Sequence, residues 1–288
     1  MAFRFDSKLT LVPHGGLGNR MRAIDSAFVL SQKLQKSLTV IWLENTPQLR
    51  CPFGQLFQPP PQVALFSPAV TSLYLDPQAV QGPTQLKKTL LALAARVFQT
   101  VSFQKIIDND ATIDLIQTDR LATLASYQSV MILTDRSFYP TNTYGLFKPI
   151  PILEHAIEAR TIAFNQNTVG LHIRRGDHKK SIEYSPLRLF IDAIEREIAQ
   201  NTDTNFYLAS DSLPIKRRLV NQFGERIITQ LAPTSRNSEQ GMQDAVVDLY
   251  ALSRTRKIYG SYWSSYSRVA ANLSNIELVI LNNPHGLP

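Results

Sequence analysis

Along the chain, short apolar runs alternate with longer stretches in which apolar residues recur at helical spacing, and the alternation runs through both halves. Residues 9–12 read as a strand, 18–36 as a helix and 38–42 as the next strand, a βαβ opening. Residues 45–83 are proline-rich, with Pro59, Pro60 and Pro61 in a row, and read as irregular connections. The segment 86–98 reads as a helix with Leu86, Leu90, Leu93 and Val97 on one stripe. Such a stripe is expected to face the core; contact with a membrane surface or an acceptor is the alternative. Residues 130–134 form a further strand, and Pro149 and Pro151 mark a boundary before a helix at 152–164.

The second half is more regular. A strand at 168–173 leads to Ser185-Pro186, read as an N-cap with proline at the first helical position, and to a helix with Leu187, Phe190, Ile194 and Ile198 on one face. Then come strand 205–209, helix 214–223, strand 226–231, helix 242–254, strand 257–259, helix 265–273 and strand 277–281. This order predicts an α/β protein of two Rossmann-like lobes with parallel sheets, 1–150 and 151–288. The length of 288 residues gives each lobe enough chain for its own core.

Composition narrows the classes. With 44% hydrophobic and 18% charged residues the chain is neither disordered nor fibrous. A net charge of +7 favours an anionic partner and leaves nucleotide sugar, nucleic acid and membrane surface open. Cys51 is the single cysteine, which excludes an internal disulfide and a cysteine-rich zinc site. The first residues carry Arg4, Asp6 and Lys8 without the apolar stretch of a signal peptide, and no run approaches ~18 uninterrupted apolar residues. The expectation is a cytoplasmic, bacterial protein without its own membrane anchor.

Four polar clusters follow apolar strands. In His14-Gly15-Gly16-Leu17-Gly18-Asn19-Arg20, small residues allow close backbone approach and the next helix offers free N–H groups to a phosphate, although a plain turn would have the same sequence. It lacks the lysine of a P-loop and fits G-x-G-x-x-G poorly. His172-Ile173-Arg174-Arg175-Gly176-Asp177 brings an imidazole, two guanidiniums and a carboxylate to one strand end, and such guanidiniums can hold a diphosphate two-pronged. Asp211 ends the strand of Phe206-Tyr207-Leu208-Ala209-Ser210, either as a site residue or as an opening helix residue ahead of Pro214. The fourth cluster pairs Asp248, in Asp248-Leu249-Tyr250-Ala251-Leu252-Ser253, with Ser264 and Ser265 at the start of a helix, where hydroxyls bind phosphate or simply cap.

Taken together, HGGLGNR, HIRRGD, FYLASD and DLYALS followed by SSYSRVA resemble the GDP-fucose-dependent fucosyltransferases, the superfamily of alpha-1,6, alpha-1,2, protein-O-fucosyl and bacterial nodulation enzymes. Three of the four motifs fall within 168–271, in the family's order. The resemblance implies a GT-B fold whose two lobes face across a cleft, inversion at the anomeric carbon, a GDP-sugar donor and no obligatory metal or other cofactor. It implies that Arg174 grips the β-phosphate with Arg175 as helper, and that His172 and Asp248 recognise guanine. Ser264 or Ser265 would bind diphosphate oxygens, and Asp177 and Asp211 would orient those groups. Gly16, Gly18, Asn19 and Arg20, in the opening loop of the first lobe, would contact the donor. Where alpha-1,6 relatives carry an Asp-Asp pair, this chain has Asp211-Ser212, and the serine segment aligns with a one-residue shift.

Growing charge on departing GDP can be stabilised by arginines and helix N–H groups in place of a metal. The acceptor hydroxyl calls for a base; Glu183 stands one residue from the family's catalytic glutamate, and His178 is the fallback. The resemblance thus implies an inverting transferase moving L-fucose from GDP-fucose to a glycan or glycolipid hydroxyl, at most peripheral at a membrane surface. Alternatives are another GDP-sugar donor or a non-catalytic nucleotide-sugar or glycan binder on the same fold. A nucleic-acid partner is not expected, because Lys216-Arg217-Arg218 reads as a solvated helix face and no nucleic-acid-binding motif accompanies it.

Overall fold

The computed structural model describes residues 7–75, 85–140, 144–176, 179–232, 235 and 237–283. The chain divides into two compact units, residues 1–54 with 58–142, and residues 55–57 with 143–288. The first contains β1 (Lys8–Pro13), α1 (Leu17–Lys33), β2 (Ser37–Ile41), the hairpin β3 (Asn45–Thr46) and β4 (Leu49–Arg50), β5 (Ala64–Phe66), α2 (Gln85–Ser102), β6 (Lys105–Ile107), α3 (Asn109–Gln117) and β7 (Ser129–Thr134). Its main sheet runs β5-β2-β1-β7-β6, parallel throughout. One layer of its core joins Val12, Ile41, Leu43, Met131 and Leu133 to Tyr74, Leu75, Phe103 and Ile106.

The second unit contains α4 (Pro151–Thr161), β8 (Val169–Ile173), α5 (Lys179–Tyr184), α6 (Leu187–Gln200), β9 (Phe206–Ser210), α7 (Leu213–Phe223), β10 (Ile227–Ile228), α8 (Glu239–Ser253), β11 (Lys257–Ser261), α9 (Ser265–Leu273) and β12 (Glu277–Leu281). Its sheet order is β10-β9-β8-β11-β12, again parallel. From β8 the chain moves outward through β9 and β10, then crosses back to β11 on the other side. The strand order therefore reverses between β8 and β11, and in open α/β sheets a crevice opens at the carboxyl ends of such a strand pair.

Strand β8 is buried on both faces, as parallel strands are. Val169, Leu171 and Ile173 pack with Phe190, Ala193 and Ile194 of α6, while Gly170 and His172 lie in register with Tyr207 and Ala209 on the opposite face. Residues 55–57 join this unit through Phe57, whose ring meets that of Phe147 at 5.3 Å, and through Leu56, whose carbonyl accepts from the Ile150 N–H at 3.2 Å.

Several sequence expectations need correction. The first helix ends at Lys33 rather than 36, since Gln35 takes a left-handed φ of 53° and buried Lys36 turns its Nζ to the Tyr127 carbonyl at 2.6 Å. The stretch 45–83 is not irregular throughout, because β5 extends the main sheet beside β2. Strand β10 covers only two of the residues expected at 226–231. Ser185 does not cap α6: Pro186 holds that position, and the Ser185 hydroxyl donates to the Leu281 carbonyl instead. Lys216 is buried, with Nζ donating to the Gln230 carbonyl at 3.1 Å, so the basic run is solvated only at Arg217 and Arg218. The stripe on α2 is exposed, because that helix packs through its opposite side, where Ala95 and Gln99 are buried.

Candidate functional site

The carboxyl ends of β8, β9 and β11 carry the polar residues the sequence singles out. Beyond Ile173 the chain must leave the sheet, and the turn that follows is held by its neighbours. The Asp211 carboxylate accepts the Arg175 N–H at 2.7 Å and the Gly176 N–H at 3.0 Å. A Cβ on Gly176 would stand 3.0 Å from Asp211 Oδ2, so glycine permits the close approach. On the other side, Ser261 Oγ accepts the Arg174 N–H at 3.1 Å and donates to the His172 carbonyl at 3.3 Å, tying β8 to β11 across the switch point.

The two arginines diverge. Arg175 donates to the carbonyls of Arg174 at 2.8 Å and Ser185 at 2.7 Å, with its guanidinium 5.9 Å from the Phe190 ring centroid. Burial lowers its pKa from the usual arginine value. This side chain braces the turn. Arg174 stands half-buried at the strand end.

Beyond β11, Trp263 is held at a left-handed φ of 59° and is 60% exposed, an outlier for a bulky residue directly before α9. Ser264 occupies the N-cap position but makes no capping bond; its buried hydroxyl has no hydrogen-bond partner among the described residues. Ser265 is the first residue of α9. The helix start thus offers uncapped N–H groups beside an unused hydroxyl, a combination suited to phosphate.

Helix α5 is fastened to this loop. Ser181 Oγ donates to the Tyr262 carbonyl at 2.5 Å, the Tyr184 and Tyr262 rings meet at 5.1 Å, and Lys180 Nζ lies 4.6 Å from the Trp263 ring centroid. Glu183, three residues after Lys180 and therefore adjacent on the helix surface, is exposed. The sequence places it in a loop; the structure places it on α5. Asp177 and His178 lie outside the described residues.

Behind the strand ends, the His172 ring stacks on Tyr266 at 4.8 Å. Asp248 is buried on α8, and its Oδ1 accepts from Arg160 at 2.9 Å and from the Tyr207 hydroxyl at 2.5 Å. Arg160 also donates to Gln230 Oε1 at 2.6 Å. Burial raises the Asp248 pKa against the opposing pull of Lys216, Tyr207 and Arg160. Both hydrogen bonds fall on Oδ1, and 11% of the side chain stays accessible. The sequence reading missed Arg160, Tyr207 and Tyr266; a charge and two hydroxyls scattered over a hundred residues give no local signal.

The opening loop belongs to the first unit. Gly15 has a φ of 76°, and Gly16 is the N-cap of α1 without a side-chain capping bond, while Gly18 and Asn19 lie in its first turn. Arg20 is buried and donates to the Gly15 carbonyl at 3.0 Å, the Leu43 carbonyl at 2.8 Å and Thr46 Oγ1 at 2.9 Å, with the guanidinium 4.7 Å from the Trp42 ring centroid. Burial pushes its pKa down to about 10. These bonds secure the loop and the hairpin. Among the described residues, no three His, Cys, Asp or Glu side chains are grouped to hold a metal ion.

Comparison with known proteins adds structure rather than sequence. No protein-family profile matches the chain, and no curated protein matches it in sequence. Among solved structures, fucosyltransferase NodZ from Bradyrhizobium superposes with a TM-score of 0.62 at 16% identity, covering 97% of each chain. A mutant of FUT1 from Arabidopsis thaliana, in complex with GDP, gives 0.62 at 14% identity over 96% of this chain and 71% of that one. POFUT1 in complex with GDP gives 0.56 at 11% identity, covering 96% of this chain and 99% of that one. The chain has the GT-B fold of these fucosyltransferases.

Proposed function

We propose that the protein is an inverting glycosyltransferase that takes L-fucose from GDP-fucose and attaches it to a glycan hydroxyl. One observation carries this reading: at the switch point between β8 and β11, the Arg174 backbone is bonded to Ser261, three residues before Ser264 and the uncapped start of α9, and an anionic leaving group would sit there. The fold shared with NodZ, whose crystal was soaked with GDP-fucose, supports the same donor. In this reading residues 143–288 form the donor side and the first unit the acceptor side.

As the sugar–oxygen bond breaks, charge grows on the β-phosphate. Arg174 supplies a planar two-pronged donor to it, and the α9 N–H groups with the Ser264 hydroxyl supply fixed dipoles that need no rearrangement. Ser265 stands in reserve beside Ser264. Asp211 and Arg175 hold the turn that aims Arg174. Guanine presents N–H donors on one edge; Asp248 Oδ2 accepts from them while Arg160 and Tyr207 hold Oδ1, and His172, backed by Tyr266, lines the base. Glu183 takes the proton from the acceptor hydroxyl, and exposed Trp263 offers its ring to the acceptor sugar.

The test is release of GDP from GDP-fucose, with GDP-mannose and a UDP-sugar as comparators, in the presence and absence of EDTA. Turnover of GDP-fucose that persists in EDTA is expected. Preference for the UDP-sugar would overturn the donor, and loss in EDTA with recovery on manganese would overturn the leaving-group chemistry.

A further inference from the structure

Helix α2 presents an apolar face that none of the described residues of its own unit covers. Leu86, Leu90, Leu93, Val97 and Val101 recur at helical spacing and are each between 56% and 83% exposed. The helix is nevertheless firmly seated by its other side: Gln99 Nε2 donates to the Leu73 and Leu75 carbonyls at 3.0 and 2.9 Å, and Phe98 meets the Tyr74 ring at 5.3 Å. The exposed stripe is therefore a property of a packed helix.

The charges beside the stripe select the partner. Lys87 and Arg96 are exposed on its two flanks, and residues 85–102 contain no Asp or Glu. A second copy of the same face would bring these cations together without a carboxylate to meet them. A protein partner would have to be both apolar and acidic along a single line. An anionic bilayer offers both features at once, with acyl chains for the leucines and headgroups for the cations. No helix among the described residues is long and apolar enough to cross a membrane, so α2 would lie on the surface.

We infer that α2 docks the protein on anionic phospholipid bilayers, its apolar stripe inserted at the headgroup boundary and Lys87 and Arg96 on phosphate groups. This stands apart from the donor site, since it concerns the first unit and requires no nucleotide.

The experiment is flotation of the full chain with vesicles of phosphatidylcholine alone and of phosphatidylcholine with phosphatidylglycerol, at low and high salt. Binding to the phosphatidylglycerol vesicles is expected, weakening with salt. Leu90→Gln with Leu93→Gln should lower it about tenfold or more, as two apolar anchors leave the interface. Lys87→Gln with Arg96→Gln should lower it about twenty-fold at low salt, each cation supporting roughly five-fold. Melting of both variants is the control for folding, and since Leu90 and Leu93 are exposed the leucine variant should leave it unchanged. Equal recovery with neutral vesicles, absence of binding, or indifference to the leucine changes would overturn the proposal. So would a dimer in sedimentation that the leucine variant splits, which would assign the face to a second copy.

Discussion

The Asp211 carboxylate accepts the backbone N–H of Arg175 at 2.7 Å, reaching from the end of β9 to the turn that follows β8. Its second oxygen takes the Gly176 N–H, so a single side chain fixes two successive peptides of the segment that carries Arg174. Asp211→Asn keeps one acceptor oxygen and loses the charge. With charge-assisted bonds worth about 1.5–3 kcal/mol, kcat/KM should fall at least tenfold, and further in Asp211→Ala. Steady-state kinetics on both variants, with melting as the control for folding, check this.

The neighbouring arginines should separate by readout. Arg174→Lys is expected to lower kcat by ~10²-fold with little change in melting, since the lost interaction belongs to the transition state. Arg175→Lys should do the reverse. It removes bonds to two carbonyls and costs about 1–2 kcal/mol of stability, while turnover falls less. Paired thermal melts and initial rates decide between these patterns.

Much of this was legible in the sequence. Period-two and period-3.6 patterns place most strands and helices of the second unit, and helix 265–273 matches in both bounds. Strand β6, only three residues long, is too short for its period to register, and β5 is hidden among prolines. The strand-end clusters could be read because each follows its strand directly. The partners of Asp248 could not, as Arg160 and Tyr207 lie 88 and 41 residues away and meet it only through packing. Nor could the facing of α2, since an apolar stripe has the same spacing whether core or solvent receives it.

Glu197 is a stability determinant remote from the site. Its buried carboxylate accepts from Arg256 at 2.7 Å and from the Tyr259 hydroxyl at 2.6 Å, and pairs with Lys257 at 2.5 Å. Burial pushes its pKa up, but bonds from Lys257 and Tyr259 and the two cations outweigh that and hold it below the usual carboxylate value. A depressed folded pKa contributes stability above the unfolded value near ~4.3 and loses it as pH falls through the folded value. Glu197→Gln should therefore cost about 2–4 kcal/mol at neutral pH and progressively less as acid is added below about pH 4. Denaturant unfolding across that range checks the sign.

Trp263→Gly should leave melting nearly unchanged. Relief of the left-handed backbone, about 1 kcal/mol, offsets loss of the Lys180 contact, about 0.5–1 kcal/mol. The acceptor KM should rise while GDP affinity stays. An unaltered KM would show that the exposed ring does not meet the acceptor.

The most direct measurement is calorimetric titration of GDP, GMP and UDP into the full chain, repeated with Ser264→Ala. If the crevice between β8 and β11 holds a guanosine diphosphate, GDP should bind more tightly than GMP or UDP. Removing the unused Ser264 hydroxyl should weaken GDP about tenfold without moving GMP as far, the scale of one hydrogen bond to a charged oxygen. GDP binding no tighter than GMP or UDP, and unchanged by Ser264→Ala, would contradict the assignment of this crevice.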